Sequence, residues 1–544
     1  MSDFNVCVKN ITSKFPVILN DTFKNVPKIS TKLGKKSSQN IVSRYLLILC
    51  GVIVLTWYLQ MLWRRRRLYY YYYKTPGPLN LPFIGVGYKF LTRDLGVMLQ
   101  RLVDVQIAYP KVAAVWFGPK LYFLVSKPEY VEKVLMNQSA LNKDHLYKFL
   151  SNVVGEGLLS GRARIWKKHR RAIMPAFNQK ILDAYQDIFW NKSEILVNVL
   201  EKEVGTKNIE LFHFLSCCTL DIICETALGI NMNTQTTNET EFAKALDKLM
   251  EITSLRTLHF WHQLTFTWKL YPISREFDKS LKIFDDFVST VISNKLRDYS
   301  SKSTRRNSCF EDAVAPIVKA SPGEAFAFLD LILENTKFSE QELLDEVKTF
   351  LAAGTDTTAS TLCFVFTMLG LFQDVQQKVY EEFIDILGPD RRSFPDDLAK
   401  MKYTDRVIKE TLRLFPVAPL IVRSLLQDID GGDMVFPRES SVIIGIVFLH
   451  RNPAYWPDPL KFDPDRFLPE NTAKRHPCAY IPFSYGPRNC IGGKYGMMNI
   501  KTILATVLRR YKIFTEYKSV EEIKVTTNLV LRLKDGPKVW IEPR

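Results

Sequence analysis

The sequence predicts a mainly α-helical fold with small β-sheets, preceded by one N-terminal transmembrane helix. Apolar residues recur with helical spacing in four long segments, at 180–203, 241–257, 277–298 and 340–371. Strand-like segments are fewer and shorter, at 112–117, 121–125 and 434–446. The third observation is an uncharged apolar run near the N-terminus that is long enough to cross a bilayer.

The apolar run extends from Tyr45 to Trp63, and four arginines, 64–67, follow it directly. Positive charge on that flank predicts that the chain beyond it lies in the cytosol. Residues 69–73 are all tyrosines, whose amphipathic rings are favoured near lipid headgroups. A cleaved signal peptide fits poorly, since no small-residue cleavage site follows the run. We therefore expect a single-pass anchor.

The segment before the anchor is basic. Residues 1–40 hold seven lysines and two aspartates, a net charge of 7 − 2 = +5. A basic, acid-poor leader is also typical of a mitochondrial transit peptide, but the apolar run behind it favours the endoplasmic reticulum membrane. If this segment is lumenal, Asn10 and Asn20 are candidate N-glycosylation acceptors.

The remaining chain is large enough for one substantial core, since the protein has 544 residues of which 47% are hydrophobic. The net charge of +17 is compatible with nucleic acid, an anionic membrane or an acidic protein, and composition does not choose among them. The nine cysteines show no disulfide-type spacing, which favours a reduced, cytosolic domain. Residues 299–323, rich in Ser, Lys and Arg, predict a flexible surface loop. The predicted organisation is a basic extension at 1–40, an anchor at 41–63, a basic, Tyr-rich and Pro-rich linker at 64–82 and one domain at 83–544.

The most informative segment is Phe483–Gly492, FSYGPRNCIG. It places Cys490 between Gly486 and Gly492, two residues after Arg488, at the start of a predicted helix over 494–509. A helix N-terminus and nearby cations favour the thiolate that ligates haem iron. The alternative is a buried cysteine in a glycine-rich turn, but five special positions within ten residues favour a haem ligand. The segment resembles the cysteine loop of the cytochrome P-450 family.

A second motif lies in the long helix predicted over 340–371. Ala353, Gly354 and Thr357 share one thin face that carries a single hydroxyl, and Asp356 precedes that hydroxyl. A hydroxyl beside a carboxylate can relay protons in a dry pocket. The alternative is a threonine bonded to its own helix and a glycine that permits close packing. Together with Cys490, the segment resembles the family's oxygen-activating helix, which implies proton delivery by Thr357 and Asp356 and haem contact at Gly354.

Two further motifs match the family. Glu410 and Arg413 share a helix face, and such pairs are commonly solvated, but with Arg466 they resemble the family's buried network that supports the cysteine loop. Trp166 and Arg170 lie one turn apart on a basic segment, which is either a solvated surface helix or a site for buried carboxylates. The resemblance implies that haem propionates are bound by Trp166, Arg170, Arg488 and Arg423, and that Phe483 and Gly486 also border the haem.

The resemblance covers residues 75–544 and implies the cytochrome P-450 fold with haem b (iron protoporphyrin IX), ligated by Cys490. Gly155–Gly157, Met174–Phe177 and His450–Pro453 are most similar to the family-4 clan, with an insect-like character. Many members of that clan esterify haem through a glutamate at the position of Ala353, so we expect non-covalent haem here.

The implied function is a haem-thiolate monooxygenase that inserts one oxygen atom of O₂ into a lipophilic substrate, a fatty acid-like lipid or a xenobiotic. The expected partners are an NADPH-dependent flavoprotein reductase, with cytochrome b5 as an optional second donor, and the membrane, without nucleic acid. The alternatives are a haem-thiolate isomerase or dehydratase and a non-catalytic membrane haem sensor. The expected substrate walls are apolar, at Phe149, Leu150, 417–422 and 260–271.

Overall fold

We describe a computed structural model, which covers residues 34–81, 84–237, 241–307, 327–336 and 338–544. The candidate glycosylation acceptors Asn10 and Asn20 lie outside these residues. The chain forms two compact units, of which the first ends at Tyr69 and the second is Tyr70–Arg544.

The N-terminal unit contains helix α1, Gly34–Arg64. Its apolar stretch, Ser43–Arg64, is long enough to cross a membrane, and its side chains are not buried in protein. Leu211–Leu228 has similar length and composition, but most of it is buried in the core of the second unit. Glu340–Leu371 and Gln373–Leu387 also qualify if they are taken as one bent span, although the first is a core helix. The stretch in α1 is therefore the candidate anchor.

Helices also dominate the chain that follows α1. In chain order they are α2 Arg66–Lys74, α3 Leu95–Ala108, α4 Pro128–Met136, α5 Tyr147–Val154, α6 Ala163–Ile173, α7 Gln179–Ala184, α8 Gln186–Leu200, α9 Leu211–Ile223, α10 Glu241–Leu258, α11 Phe260–Gln263, α12 Thr265–Trp268, α13 Ile273–Asn307, α14 Phe328–Asn335, α15 Glu340–Leu371, α16 Gln373–Leu387, α17 Pro395–Lys400, α18 Lys402–Leu414, α19 Ile446–Leu449, α20 Pro469–Thr472 and α21 Gly493–Arg510.

The strands form one four-stranded sheet and three two-stranded sheets. They are β1 Val112–Phe117, β2 Lys120–Val125, β3 Leu420–Ser424, β4 Ile429–Asp430, β5 Val435–Phe436, β6 Ser441–Gly445, β7 Tyr511–Thr515, β8 Val525–Asn528, β9 Val530–Leu533 and β10 Val539–Pro543. The larger sheet has the order β1-β2-β6-β3, and the small sheets pair β4 with β5, β7 with β10 and β8 with β9.

Helix α15 is the central element of the core. It begins at Ser339, whose hydroxyl accepts from the Glu342 N–H (3.2 Å) while the Glu342 carboxylate accepts from the Ser339 N–H (2.9 Å). Nearly every residue from Thr349 to Gly370 is buried. The ring of Phe364 stacks on Phe415, with centroids 4.7 Å apart, and this contact joins α15 to the end of α18.

Several predicted boundaries differ from the structure. The strand predicted at 434–446 is divided, because Pro437 cannot donate to a ladder and Glu439 has a φ of 69°. The helix predicted at 180–203 is interrupted at Tyr185. Helix α13 extends to Asn307, so part of the predicted loop at 299–323 is helical; residues 308–323 lie outside the described chain.

Candidate haem site

The Cys490 loop has a compact backbone that ends at α21. The Cys490 N–H donates to the Phe483 carbonyl (2.9 Å), and the Asn489 N–H donates to the Gly486 carbonyl (3.1 Å). Gly486 has a φ of 75°, and a Cβ there would lie 2.5 Å from the Leu135 carbonyl oxygen, so only glycine fits. The loop therefore brings Phe483, Gly486 and Cys490 together on a tightly folded segment.

The surroundings of the Cys490 thiol act on its charge in opposite directions. The residue is exposed, yet the surrounding protein desolvates the thiol and raises its pKa. The backbone N–H of Gly492 and the charge of Arg170 act in the opposite direction and favour the thiolate. A Cβ placed on Gly492 would meet nothing within 4 Å, so the backbone beside the thiol is open for a flat ligand.

Helix α6 is bonded to the Cys490 loop. Arg170 donates from Nη1 to the Asn489 carbonyl (3.0 Å) and from Nη2 to the Asn489 Oδ1 (2.9 Å). Trp166 is buried, and the Arg488 guanidinium lies 5.3 Å from the centre of its ring. The predicted residues Trp166, Arg170 and Arg488 therefore lie around the cysteine loop.

Three cations, those of Lys143, Arg423 and Arg488, lie close together. Lys143 pairs with Arg423 through an isolated β-bridge, and both side chains interact electrostatically with Arg488. Burial and the neighbouring charge of Arg423 lower the pKa of Arg488 to about 9. Burial likewise lowers the pKa of Arg423 and that of Lys143.

This group of cations has no protein counter-charge. Within the described parts of the chain none of the three forms an ion pair with a carboxylate, and the adjacent Asp144 is bound by Lys120 (2.7 Å) and Ser441 (2.6 Å). The Nε of Arg488 is buried without a hydrogen-bond partner. Desolvated cations require anions, so these residues would suit the two propionates of a haem ligated by Cys490. Sequence reasoning missed Lys143, because no motif marks it.

Glu410, Arg413 and Arg466 form one buried network. Arg413 binds the Glu410 carboxylate through both Nε (2.7 Å) and Nη2 (2.8 Å), and neither side chain is exposed. Arg466 Nε lies 3.6 Å from Glu410 Oε1. Arg413 also donates to the carbonyls of His450 (3.0 Å) and Pro459 (2.7 Å).

His450 connects this network to the cysteine loop. Its Nε2 accepts from the Ile481 N–H (2.8 Å), two residues before Phe483, and its Nδ1 lies 3.3 Å from the Leu412 carbonyl. Burial lowers the pKa of His450 to about 3, so the ring is neutral and can accept that bond. The sequence analysis treated this histidine only as a mark of resemblance.

Helix α15 has one accessible patch within its buried length. Between Thr349 and Gly370 only Ala353, Gly354 and Thr357 are partly exposed, and these are the residues predicted to share a face. A Cβ on Gly354 would lie 2.8 Å from Ile223 Cδ1, so this glycine also permits close packing against α9. The role of Gly354 at the haem stays a prediction.

Thr357 and Asp356 are adjacent but have separate partners. The Thr357 hydroxyl donates to the Ala353 carbonyl (2.6 Å), the helix-bonded arrangement considered as the alternative above. The Asp356 carboxylate is buried and binds Arg532 Nη2 (2.8 Å). Desolvation raises the pKa of Asp356, and Arg532 partly offsets the rise.

Arg532 joins three segments and was absent from the sequence predictions. It lies on β9 and binds Asp356 of α15 and Asp247 of α10 together. Its guanidinium also lies 4.3 Å from the centre of the Phe212 ring on α9. Asp356 and Asp247 lie 176 and 285 positions away from Arg532 in the sequence, so residue spacing could not predict these contacts.

A cavity of about 520 Å³ opens elsewhere, between α3, α10 and β8. Its wall includes Arg93, Glu251, His262 and Tyr271, and none of the residues around Cys490. Of the predicted substrate walls it includes His262 and Tyr271, both from the 260–271 stretch. The cavity therefore does not border Cys490.

A cysteine on a glycine-rich loop, nearby cations that pair with no carboxylate among the described residues and an accessible hydroxyl on a buried helix are the features expected of a haem-thiolate site. Comparison with protein families agrees, because the Cytochrome P450 model matches residues 75–540. The chain is 36% identical over 483 residues to Cytochrome P450 4c3 of Drosophila melanogaster, covering 87% of this chain and 89% of that protein. It is 36% identical over 437 residues to Cytochrome P450 4V2 of Mus musculus (79% and 82%), and 35% identical over 450 residues to Cytochrome P450 4c21 of Blattella germanica (82% and 88%).

The chain therefore belongs to the cytochrome P450 family, and its similar proteins are insect and mammalian members of family 4. Membership makes it a haem-thiolate monooxygenase, an oxidoreductase with a cysteine thiolate as axial haem ligand. In general such enzymes receive electrons from a redox partner and act on lipophilic substrates, and those of family 4 are membrane-bound.

Proposed function

We propose that this enzyme is anchored by α1 in the endoplasmic reticulum membrane, with its catalytic domain in the cytosol. In this proposal it inserts one oxygen atom of O₂ into a fatty acid-like lipid or a lipophilic xenobiotic. An NADPH-dependent flavoprotein reductase supplies the electrons, with cytochrome b5 as an optional second donor. The observation that carries the proposal is the exposed Cys490 on the same loop as Arg488, which lies with the buried Arg423 and the partly buried Lys143 in a group that pairs with no carboxylate among the described residues.

The residues on the cysteine side hold the cofactor. When bound, a haem with a thiolate ligand supplies reductive activation of dioxygen, which the electron-rich sulfur favours. Cys490 would ligate the iron, and Arg170 and the Gly492 N–H favour its anionic sulfur against the desolvation that raises its pKa. Lys143, Arg423 and Arg488 would neutralise the propionates, and Trp166 packs against the Arg488 guanidinium. Haem b is bound without a covalent ester, since Ala353 has no carboxylate.

The residues of α15 handle protons. The Thr357 hydroxyl, held by the Ala353 carbonyl, still has an acceptor lone pair and can hold a proton at Oγ1. Asp356 is the adjacent proton source, and desolvation raises the pKa of its buried carboxyl, which favours the protonated form. Its contact with Arg532 must loosen for a proton to move between the carboxyl and the cleft.

One reconstitution experiment tests this function. The full-length chain is combined in lipid with the flavoprotein reductase and NADPH, and a panel of fatty acids, related lipids and xenobiotics is screened with product identification under ¹⁸O₂. The proposal predicts a product that carries one labelled oxygen and depends on NADPH. A rearranged or dehydrated product that forms without O₂ would instead establish the isomerase or dehydratase alternative.

A further inference from the structure

A buried histidine on α6 lies between two carboxylates of α15. His169 Nδ1 is 2.6 Å from Glu346 Oε1, and its Nε2 is 3.2 Å from Glu342 Oε1. His169 and Glu346 are each only 1% exposed, and the ring of His169 lies against Phe338 at 4.5 Å. The reaction and the haem contacts described above do not use this cluster.

The geometry defines the charge of His169. Ionised carboxylates only accept hydrogen bonds, so both ring nitrogens must carry hydrogen for both contacts to form, and His169 is an imidazolium. Desolvation opposes this charge, but Glu346 and Glu342 outweigh it, and the pKa of His169 is raised. The other nearby charges are Lys168, which binds Glu342 (2.5 Å), and Asp345, which accepts from the Glu156 N–H (2.9 Å).

His169 is the immediate neighbour of Arg170 on α6. Arg170 holds both the carbonyl and the amide of Asn489, the residue before Cys490. Helix α6 is therefore bonded on one side to α15 and on the other side to the ligand loop. A shift of α6 against α15 would move the guanidinium that lies beside the Cys490 sulfur.

We propose that His169 is a positioning residue, which as an imidazolium between Glu346 and Glu342 fixes α6 against α15 and so holds Arg170 on the Cys490 loop. Stability alone gives little reason for a charged cluster here, because apolar residues of similar volume commonly stabilise a core as well or better. Desolvation raises the pKa of the buried Glu346 carboxyl, so its charge is held there at an energetic cost. The proposal rests on Cys490 being the haem ligand.

The test compares the haem-loaded full-length protein with His169→Gln, Glu342→Gln and an α6 control, Arg164→Gln, whose side chain is exposed. Two properties are followed from about pH 6 to about pH 9: the fraction of thiolate-type carbon monoxide spectrum and the rate of haem transfer to a scavenger protein. Circular dichroism reports folding. Neither readout depends on turnover.

The expected direction of each pH effect follows from the raised pKa of His169. The charged contacts of the His169 imidazolium with Glu346 and Glu342 are fully present below the unfolded pKa of about 6.5. They are lost as pH rises through the pKa of His169 in the folded protein. In the wild type and Arg164→Gln, the thiolate-type fraction should fall in one step on the alkaline side. His169→Gln should lack this step and lose haem about tenfold faster at neutral pH. Glu342→Gln should move the step to lower pH.

A folded His169→Gln variant that keeps the alkaline step and the haem-transfer rate of the wild type would overturn the proposal. Should that variant fail to fold, an unmoved step in Glu342→Gln, whose side chain is 27% exposed, overturns it equally. Absence of a thiolate-type spectrum in the wild type itself would instead contradict Cys490 as ligand, so the two failures are distinguishable.

Discussion

The Cys490 loop and helix α15 are held in different ways. On the cysteine side, Glu410 and Arg413 are bound in a bidentate pair, Arg413 binds loop carbonyls and His450 accepts from the Ile481 backbone. On the α15 side, Thr357 donates to its own helix and Asp356 binds Arg532 of the distant β9 strand. The cysteine side is therefore held by several hydrogen bonds, whereas the groups that we propose to carry protons would have to exchange partners to act.

The largest effect should follow from breaking the fixed side. Arg413→Ala leaves the Glu410 carboxylate buried without its bidentate partner, and such a loss costs about 3–5 kcal/mol of unfolding free energy. We expect no folded haem-containing protein, measured by denaturant unfolding and haem content. Arg510→Ala, which breaks an exposed pair with Asp390, is the control and should change stability by less than about 1 kcal/mol. Equal stability of the two variants would contradict a fixed ligand side.

A smaller and different effect should follow on the α15 side. Thr357→Val removes the hydroxyl but keeps the volume, so product formation should fall about 100-fold while the thiolate-type spectrum and the melting temperature stay near wild type. NADPH oxidation should continue without matching product, measured as the ratio of product to NADPH consumed. Thr361→Val, one turn further on, removes a similar helix-bonded hydroxyl and serves as control. Unchanged coupling in Thr357→Val would exclude the proton role.

The smallest expected effect is a shift in pH dependence. Arg532 partly offsets the desolvation that raises the pKa of Asp356, so Arg532→Gln should raise that pKa further. Since Asp356 is the proton source, its protonated form is the active one, so the alkaline limb of the kcat profile should move to higher pH, and Arg532→Lys should restore it in part. A profile that moves to lower pH would show that Arg532 does not act on Asp356.

The difference between the two sides also explains what sequence could predict. The long helix at 340–371 and the residues around Cys490 follow from local periodicity and from a dense motif, and α15 has the predicted bounds. Arg532, Lys143 and the contacts of His169 are made by residues far apart in the chain, and a single sequence carries no signal for such pairs. The predicted strand at 434–446 fails for a local reason, the turn at Pro437–Glu439.

The most direct measurement is the carbon monoxide difference spectrum of the reduced, purified protein, compared with that of Cys490→Ser. We expect a thiolate-type spectrum in the wild type and its complete loss in the variant, with circular dichroism unchanged. A thiolate-type spectrum that survives in Cys490→Ser, or a folded wild-type protein that binds no haem, would contradict the account.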